Sequence, residues 1–174
     1  MSISDQGISK ENYTVVPRTL IFLFDTEGRV LLLKGSPHKQ RWAGLFNGIG
    51  GHVEAGEDVM EAAVRELAEE TGIVNVGLTF CGQLMIDASQ EAGVALFVFK
   101  GSYLKEEPLT SDDGELMWLS LEVLDQYPIM EDLRELLPRV AAYKEGAPLM
   151  IGKYTFKPGG KLKISFLHKT FEED

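Results

Sequence analysis

Glu66, Glu69 and Glu70 are the residues whose types and spacing first suggest chemistry. On a helix they stand at i, i+3 and i+4, so at roughly 100° per residue their carboxylates share one sector. Like charges at that spacing repel, and a positive partner should sit among them. Hard oxygen groups with no His or Cys beside them select magnesium or manganese over zinc. A solvated acidic helix face would carry the same residues, so the carboxylates alone leave both readings open.

The helix that must present them is predicted over residues 58–71. Met60, Val64 and Leu67 recur at helical spacing, and Ala63 and Thr71 extend the stripe, so one side can be buried while the glutamates point well away from it. Asp58 and Glu61 read as a capping box and Gly72 as the stop signal. Ahead of the helix, Gly48, Gly50 and Gly51 would let backbone approach a ligand closely. The Gly-rich stretch 35–50 holds His38, Lys39, Arg41 and Trp42, with Lys34 beside it. Lys34, Lys39 and Arg41 are candidates for capturing phosphate oxygens, Arg41 foremost because only Arg offers a bidentate fork; ordinary solvated cations are the alternative.

Gly51, then Glu57 after five residues, then the run RELAEETGI from Arg65 after seven more, resembles the Nudix box (51–73) of the Nudix hydrolases at every fixed position. The resemblance implies an α/β chain folded as an αβα sandwich around a mixed β-sheet. It implies a magnesium-dependent enzyme, manganese serving as well, that hydrolyses a phosphoanhydride in a nucleoside diphosphate-linked compound. Glu66, Glu69 and Glu70 would then hold metal together with the carbonyl of Gly50. Glu66, with Glu70 next, would take the proton of the attacking water. Arg65 would orient the box carboxylates, with Glu57 as its ion-pair partner or as a group behind the metal. Asp113, ahead of Asp112 and Glu115, would add a metal-linked carboxylate from the loop 104–115.

The stretch Asn47-Gly48-Ile49-Gly50-Gly51 resembles the oxidised-purine triphosphatases of that family, which implies a base hydrogen bond from Asn47. Glu131 and Asp132 fall about where those enzymes place base-recognising acids, although Met130 stands where they have an aromatic residue. The substrate so implied is a nucleoside triphosphate, an oxidised purine such as 8-oxo-dGTP included, cleaved to monophosphate and pyrophosphate. Another diphosphate such as a nucleotide sugar, or a non-catalytic nucleotide-binding regulator, are the competing readings. A diphosphate isomerase on the same fold would need a Cys ahead of the box, and the one cysteine is Cys81.

Composition sets the outer bounds. The 174 residues, 44% hydrophobic, suffice for one well-filled core at 13–174 behind a polar tail at 1–12. A single cysteine and the lack of a long apolar run point to a cytoplasmic protein without a membrane partner. A net charge of −10 argues against a nucleic-acid polymer and leaves a small nucleotide as the partner. Monomer and homodimer are both open.

The remaining elements are scaffolding. Strands are predicted at 13–24 and 29–34, joined by the turn 25–28, and at 74–87, 94–101 and 116–120. One or two helical turns follow at 121–126, then an amphipathic helix at 131–144 that buries Leu133, Leu136, Leu137 and Val140 and is interrupted or kinked by Pro138. Alternation at 149–168 across Pro158-Gly159-Gly160 predicts a C-terminal β-hairpin with one buried side.

Overall fold

Leu20 to Phe24 are all buried, and that fixes where β1 (Thr14–Phe24) must lie. A strand turns alternate side chains to opposite faces, so burial of every one requires cover on both. In the computed structural model, which describes residues 7, 12–37, 42–104, 111, 114–157, 159–160 and 162–167, β1 occupies the middle of a mixed sheet. It pairs in parallel with β5 (Ala92–Ser102) along its whole length and touches β2 (Val30–Gly35) antiparallel at Phe24 and Val30. Asp25 closes the turn between β1 and β2, its Oδ1 accepting from the amides of Glu27 and Arg29.

The strand order is β3-β2-β1-β5-β4-β7-β8, with β6 (Gly114–Leu119) paired to β2; β3 is Phe46–Asn47 and β4 is Leu78–Asp87. β5 is central, as its unbroken apolar run requires. The hairpin at the chain end forms as expected: β7 (Met150–Phe156) adds in parallel to β4, and β8 (Leu162–Phe166) closes the edge.

Each face has its own core. Ile21, Leu23, Leu31 and Phe99 pack with Ala63 and Leu67 of α1 (Val59–Thr71). Leu20, Phe22, Phe24 and Val98 pack with Leu133, Leu136, Leu137 and Val140 of α2 (Leu133–Ala142), with Leu124 of a short 3-10 helix (Leu121–Gln126) and with Tyr154 of the hairpin. Helices therefore cover both faces of the sheet. Of the interruption or kink expected at Pro138, the interruption does not occur, because α2 runs through that residue. Among the described residues no helix is long and apolar enough to cross a membrane. Cys81 is fully buried, and burial pushes its thiol up to about 11, as befits a small core residue.

The capping box of α1 forms as its sequence predicts. Asp58 Oδ1 accepts from the amides of Met60 and Glu61, Glu61 answers the Asp58 amide at 2.8 Å, and Gly72 ends the helix at φ 71°. The buried stripe, however, is not the expected one. Ala62, Ala63, Leu67 and Thr71 face the sheet, while Met60 and Val64 are 36% and 48% exposed. The series 63, 67, 71 repeats at four residues. Met60 and Val64 lie roughly 60–100° around the helix from Ala63, which is enough to turn them outward.

Candidate active site

After β3 the chain runs antiparallel beside β1. Ile49 exchanges both backbone hydrogen bonds with Ile21, the Gly51 carbonyl accepts from the Thr19 amide at 2.9 Å, and the Val53 amide donates to the Pro17 carbonyl. With these bonds directed at β1, the Gly50 amide is turned to the other side, where it donates to Glu70 Oε2 at 2.9 Å. Gly50 has φ 141°, and a Cβ built on it would lie 2.3 Å from the Thr19 carbonyl oxygen. At Gly51 a Cβ would lie 2.3 Å from a carboxylate oxygen of Glu66. Two glutamates of α1 are thus held against a stretch of bare backbone.

Arg65 organises the acids around it. It grips Glu57 with two nitrogens at 2.6 and 2.9 Å, reaches Glu66 at 2.9 Å and Glu69 at 3.1 Å, and donates to the His52 carbonyl at 3.0 Å. The hydrogen bond from Arg65, followed by the Glu54 amide, lowers the Glu57 carboxyl to about 2. Arg65 in turn is held well above the usual arginine range, chiefly by its bonds to Glu57 and then Glu66. The expected orienting arginine and its ion-pair partner therefore stand in contact.

The three box glutamates do not share one environment, in contrast to the expected common sector remote from the apolar stripe. Glu66 and Glu70 border the buried stripe, and the Glu66 side chain is 14% exposed, whereas that of Glu69 is 59% exposed. Among the described residues no three His, Cys, Asp or Glu side chains converge to hold a metal as they stand. The reason is visible in the partners: Arg65 takes an oxygen of Glu66 and of Glu69, Glu57 is committed to Arg65, and Glu70 to Gly50. The carboxylates held at the Gly50–Gly51 turn, those of Glu66 and Glu70, are nevertheless hard oxygen donors, and the imidazole of the neighbouring His52 is engaged by Arg18. That chemistry fits a divalent cation of the magnesium type.

A cleft of about 730 Å³ opens beside this turn. It gathers Asn47, Gly50, Glu66, Glu70, Glu131 and Asp132 from the sequence-predicted set. Lys34 is not in its lining; its Nζ lies 3.4 Å from Glu115 and 5.5 Å from the centre of the Phe46 ring. Glu115, engaged with Lys34, does not line the cleft either. Arg41, Lys39, His38, Asp112 and Asp113 lie outside the described residues.

Sequence reasoning missed Arg18, Trp42, His52 and Tyr154 in the lining. Arg18 was detectable as a lone charge inside the apolar run of β1. Its guanidinium lies 5.6 Å from the centre of the Trp42 ring and contacts His52 Nε2 at 2.9 Å. Among the described lining residues it is the one Arg or Lys, in a lining that also holds Glu66, Glu70, Glu131 and Asp132. The period of the hairpin marks Tyr154 as an inward position, but its place in the cleft follows from the pairing of β7 with β4.

Comparison with known proteins follows the same lines. The family model of the NUDIX domain matches residues 15–140. The chain is 33% identical over 96 residues to the oxidized purine nucleoside triphosphate hydrolase of Danio rerio, covering 55% of this chain and 60% of that protein. It is 29% identical over 125 residues to the NAD-capped RNA hydrolase NudC of Pseudomonas aeruginosa, covering 70% and 43%. The matches thus span less than two thirds of the length of either relative. In fold the chain is similar to the mutator MutT protein from Bacillus halodurans, with a TM-score of 0.70 at 24% identity over 87% of this chain and 97% of that one. It is also similar to the NUDIX domain of Shewanella oneidensis NrtR complexed with ADP ribose, with a TM-score of 0.63 at 17% identity over 80% and 96%.

Proposed function

We propose, from the premise that this chain belongs to the NUDIX domain family, that it hydrolyses a nucleoside triphosphate to a monophosphate and pyrophosphate with magnesium as cofactor. The observation that carries the reading is the convergence of Glu66 and Glu70 on the Gly50–Gly51 backbone at the floor of a nucleotide-sized cleft. Similarity to the oxidized purine nucleoside triphosphate hydrolase of Danio rerio supports the triphosphate, and the oxidised purine, as first substrate to test.

Electrostatics supports the cation requirement. A polyphosphate entering a cleft with four carboxylates and one described arginine would be repelled unless cations reverse the local sign. Glu66 and Glu70, with the Gly50 carbonyl, would hold the metal; Glu69, through Arg65, steadies Glu66. When bound, a divalent ion supplies charge neutralisation at the phosphoryl oxygens and makes water more acidic. The protein's own residues do the rest. Gly50 and Gly51 let the diphosphate lie close to backbone, Arg65 fixes the rotamer of Glu66, and Glu66 takes the proton of the attacking water. Asn47 and Asp132, with Glu131 at the rim, face the base. In-line attack on phosphorus needs little more than such positioning and charge stabilisation.

The test is a panel of ordinary and oxidised nucleoside triphosphates, nucleotide sugars and dinucleotides, ranked by kcat/KM with magnesium present. Pyrophosphate release from a triphosphate, falling about 100-fold or more in Glu66→Gln and in Glu70→Gln, is the expected result. Tight nucleotide binding with no turnover, or cleavage confined to nucleotide sugars, would overturn it.

A further inference from the structure

The family match ends at residue 140, yet one wall of the cleft comes from beyond it. Tyr154 and Phe156 of β7, with Leu162 of β8, line the same space as Glu66 and Asn47. In the sheet, Val94 of β5 is in register with Ile86 of β4, and Ile86 with Tyr154 of β7. These neighbours make a continuous row across three strands. Together with Leu96 and Met130 they give that part of the cleft an apolar lining suited to a flat ring.

The hairpin is fastened to α2 at two points. The Arg139 guanidinium lies 4.2 Å from the centre of the Phe166 ring, and the Tyr154 hydroxyl donates to Asp132 Oδ2 at 3.2 Å. Asp132 occupies the N-cap position of α2, where an Asp side chain usually accepts from the first-turn amides. Here it makes no such bond. Its carboxyl is turned to the hairpin instead, and its Oδ1 is buried with no hydrogen-bond partner among the described residues. A buried acceptor left bare is costly and rare. Asp132 itself lines the cleft, so this bare oxygen stands at a wall where a ligand atom would complete the set. Tyr154 is only 3% exposed, so its hydroxyl has little freedom to point elsewhere.

We infer that Tyr154 is a positioning residue for substrate selectivity: by holding Oδ2 of Asp132 it aims Oδ1 into the cleft, to pair with the polar edge of a heteroaromatic ring lying on the Val94–Ile86–Tyr154 row. The inference rests on the nucleotide reading above and adds that selectivity is shared between α2 and a hairpin outside the family match. Loss of the hydroxyl frees the carboxyl to rotate, so ligands that differ only in the ring edge are no longer told apart.

The experiment is calorimetric titration of the full chain with AMP, GMP, CMP and UMP in magnesium, for wild type, Tyr154→Phe, Asp132→Asn and the double variant. The readout is the ratio of the weakest to the tightest Kd, which a general loosening of the fold would leave unchanged. Wild type should discriminate, and Tyr154→Phe should shrink the ratio about fivefold, the worth of one hydrogen bond. Asp132→Asn, which keeps a partner for the Tyr154 hydroxyl, should shrink it by at least as much. Adding Tyr154→Phe to Asp132→Asn should change it by less than about twofold, the signature of one residue acting through the other. An unaltered ratio in either single variant, or a full effect of Tyr154→Phe in the Asp132→Asn background, overturns the inference alone. Failure of wild type to bind any of the four overturns the nucleotide reading and the inference with it.

Discussion

Arg65 donates to Glu57, Glu66, Glu69 and the His52 carbonyl at once, and no lysine could reproduce that fork. Its grip gives Glu57 a measurable pH signature. The carboxyl falls from an ordinary 4.5 to about 2 on folding. A depressed carboxylate contributes stability that is complete above 4.5 and lost as the pH drops toward 2. Urea unfolding at pH 5 and pH 3 should therefore show a steeper acid loss in wild type than in Glu57→Gln; identical slopes would mean that the pair is absent in solution. The two glycines separate strain from function. Gly50→Ala meets the Thr19 backbone at positive φ and should cost about 2 kcal/mol or more by chemical denaturation. Gly51→Ala meets only the flexible end of Glu66, so it should fold with little loss of stability while turnover drops about tenfold or more as Glu66 is displaced.

At this scale the sequence was informative where partners are close along the chain. Glu57 and Arg65 are eight residues apart, and their pairing was readable. The contact of Lys34 with Glu115 was not readable, because the two are 81 residues apart and a charge carries no label saying which face it will take.

The α1 helix illustrates what periodicity can and cannot decide. Its ends were legible because capping chemistry is local: Asp58, Glu61 and Gly72 need only their immediate neighbours. Its rotation about its own axis was not, since the apolar residues 60, 63, 64 and 67 span a wide arc and only the sheet beneath selects 62, 63, 67 and 71. Paired substitutions test the corrected face. Leu67→Ala should destabilise by about 2–4 kcal/mol and Val64→Ala by less than about 0.5 kcal/mol, read as a difference in unfolding midpoint. Equal losses would restore the stripe drawn from spacing. For the hairpin, alternation gave the strands correctly. That its inward side would furnish Tyr154 to the cleft was hidden, because strand order in a sheet is set by long-range pairing of β7 with β4.

For the whole molecule, charge is the governing quantity. A chain of net charge −10 that turns four described carboxylates into its cleft can host a polyphosphate only with cations beside it. Nucleotide affinity should therefore collapse in EDTA and return with magnesium, measured by calorimetry without reference to turnover; metal-independent binding of a triphosphate would contradict this. The central claim is that Glu66 and Glu70, against the Gly50–Gly51 backbone, hold a divalent cation. Its most direct test is anomalous diffraction from crystals soaked in manganese. The account predicts a manganese peak bounded by the carboxylates of Glu66 and Glu70 and the carbonyl of Gly50, and its loss in Glu66→Gln. Manganese bound elsewhere, or nothing at that turn at millimolar metal, would contradict it.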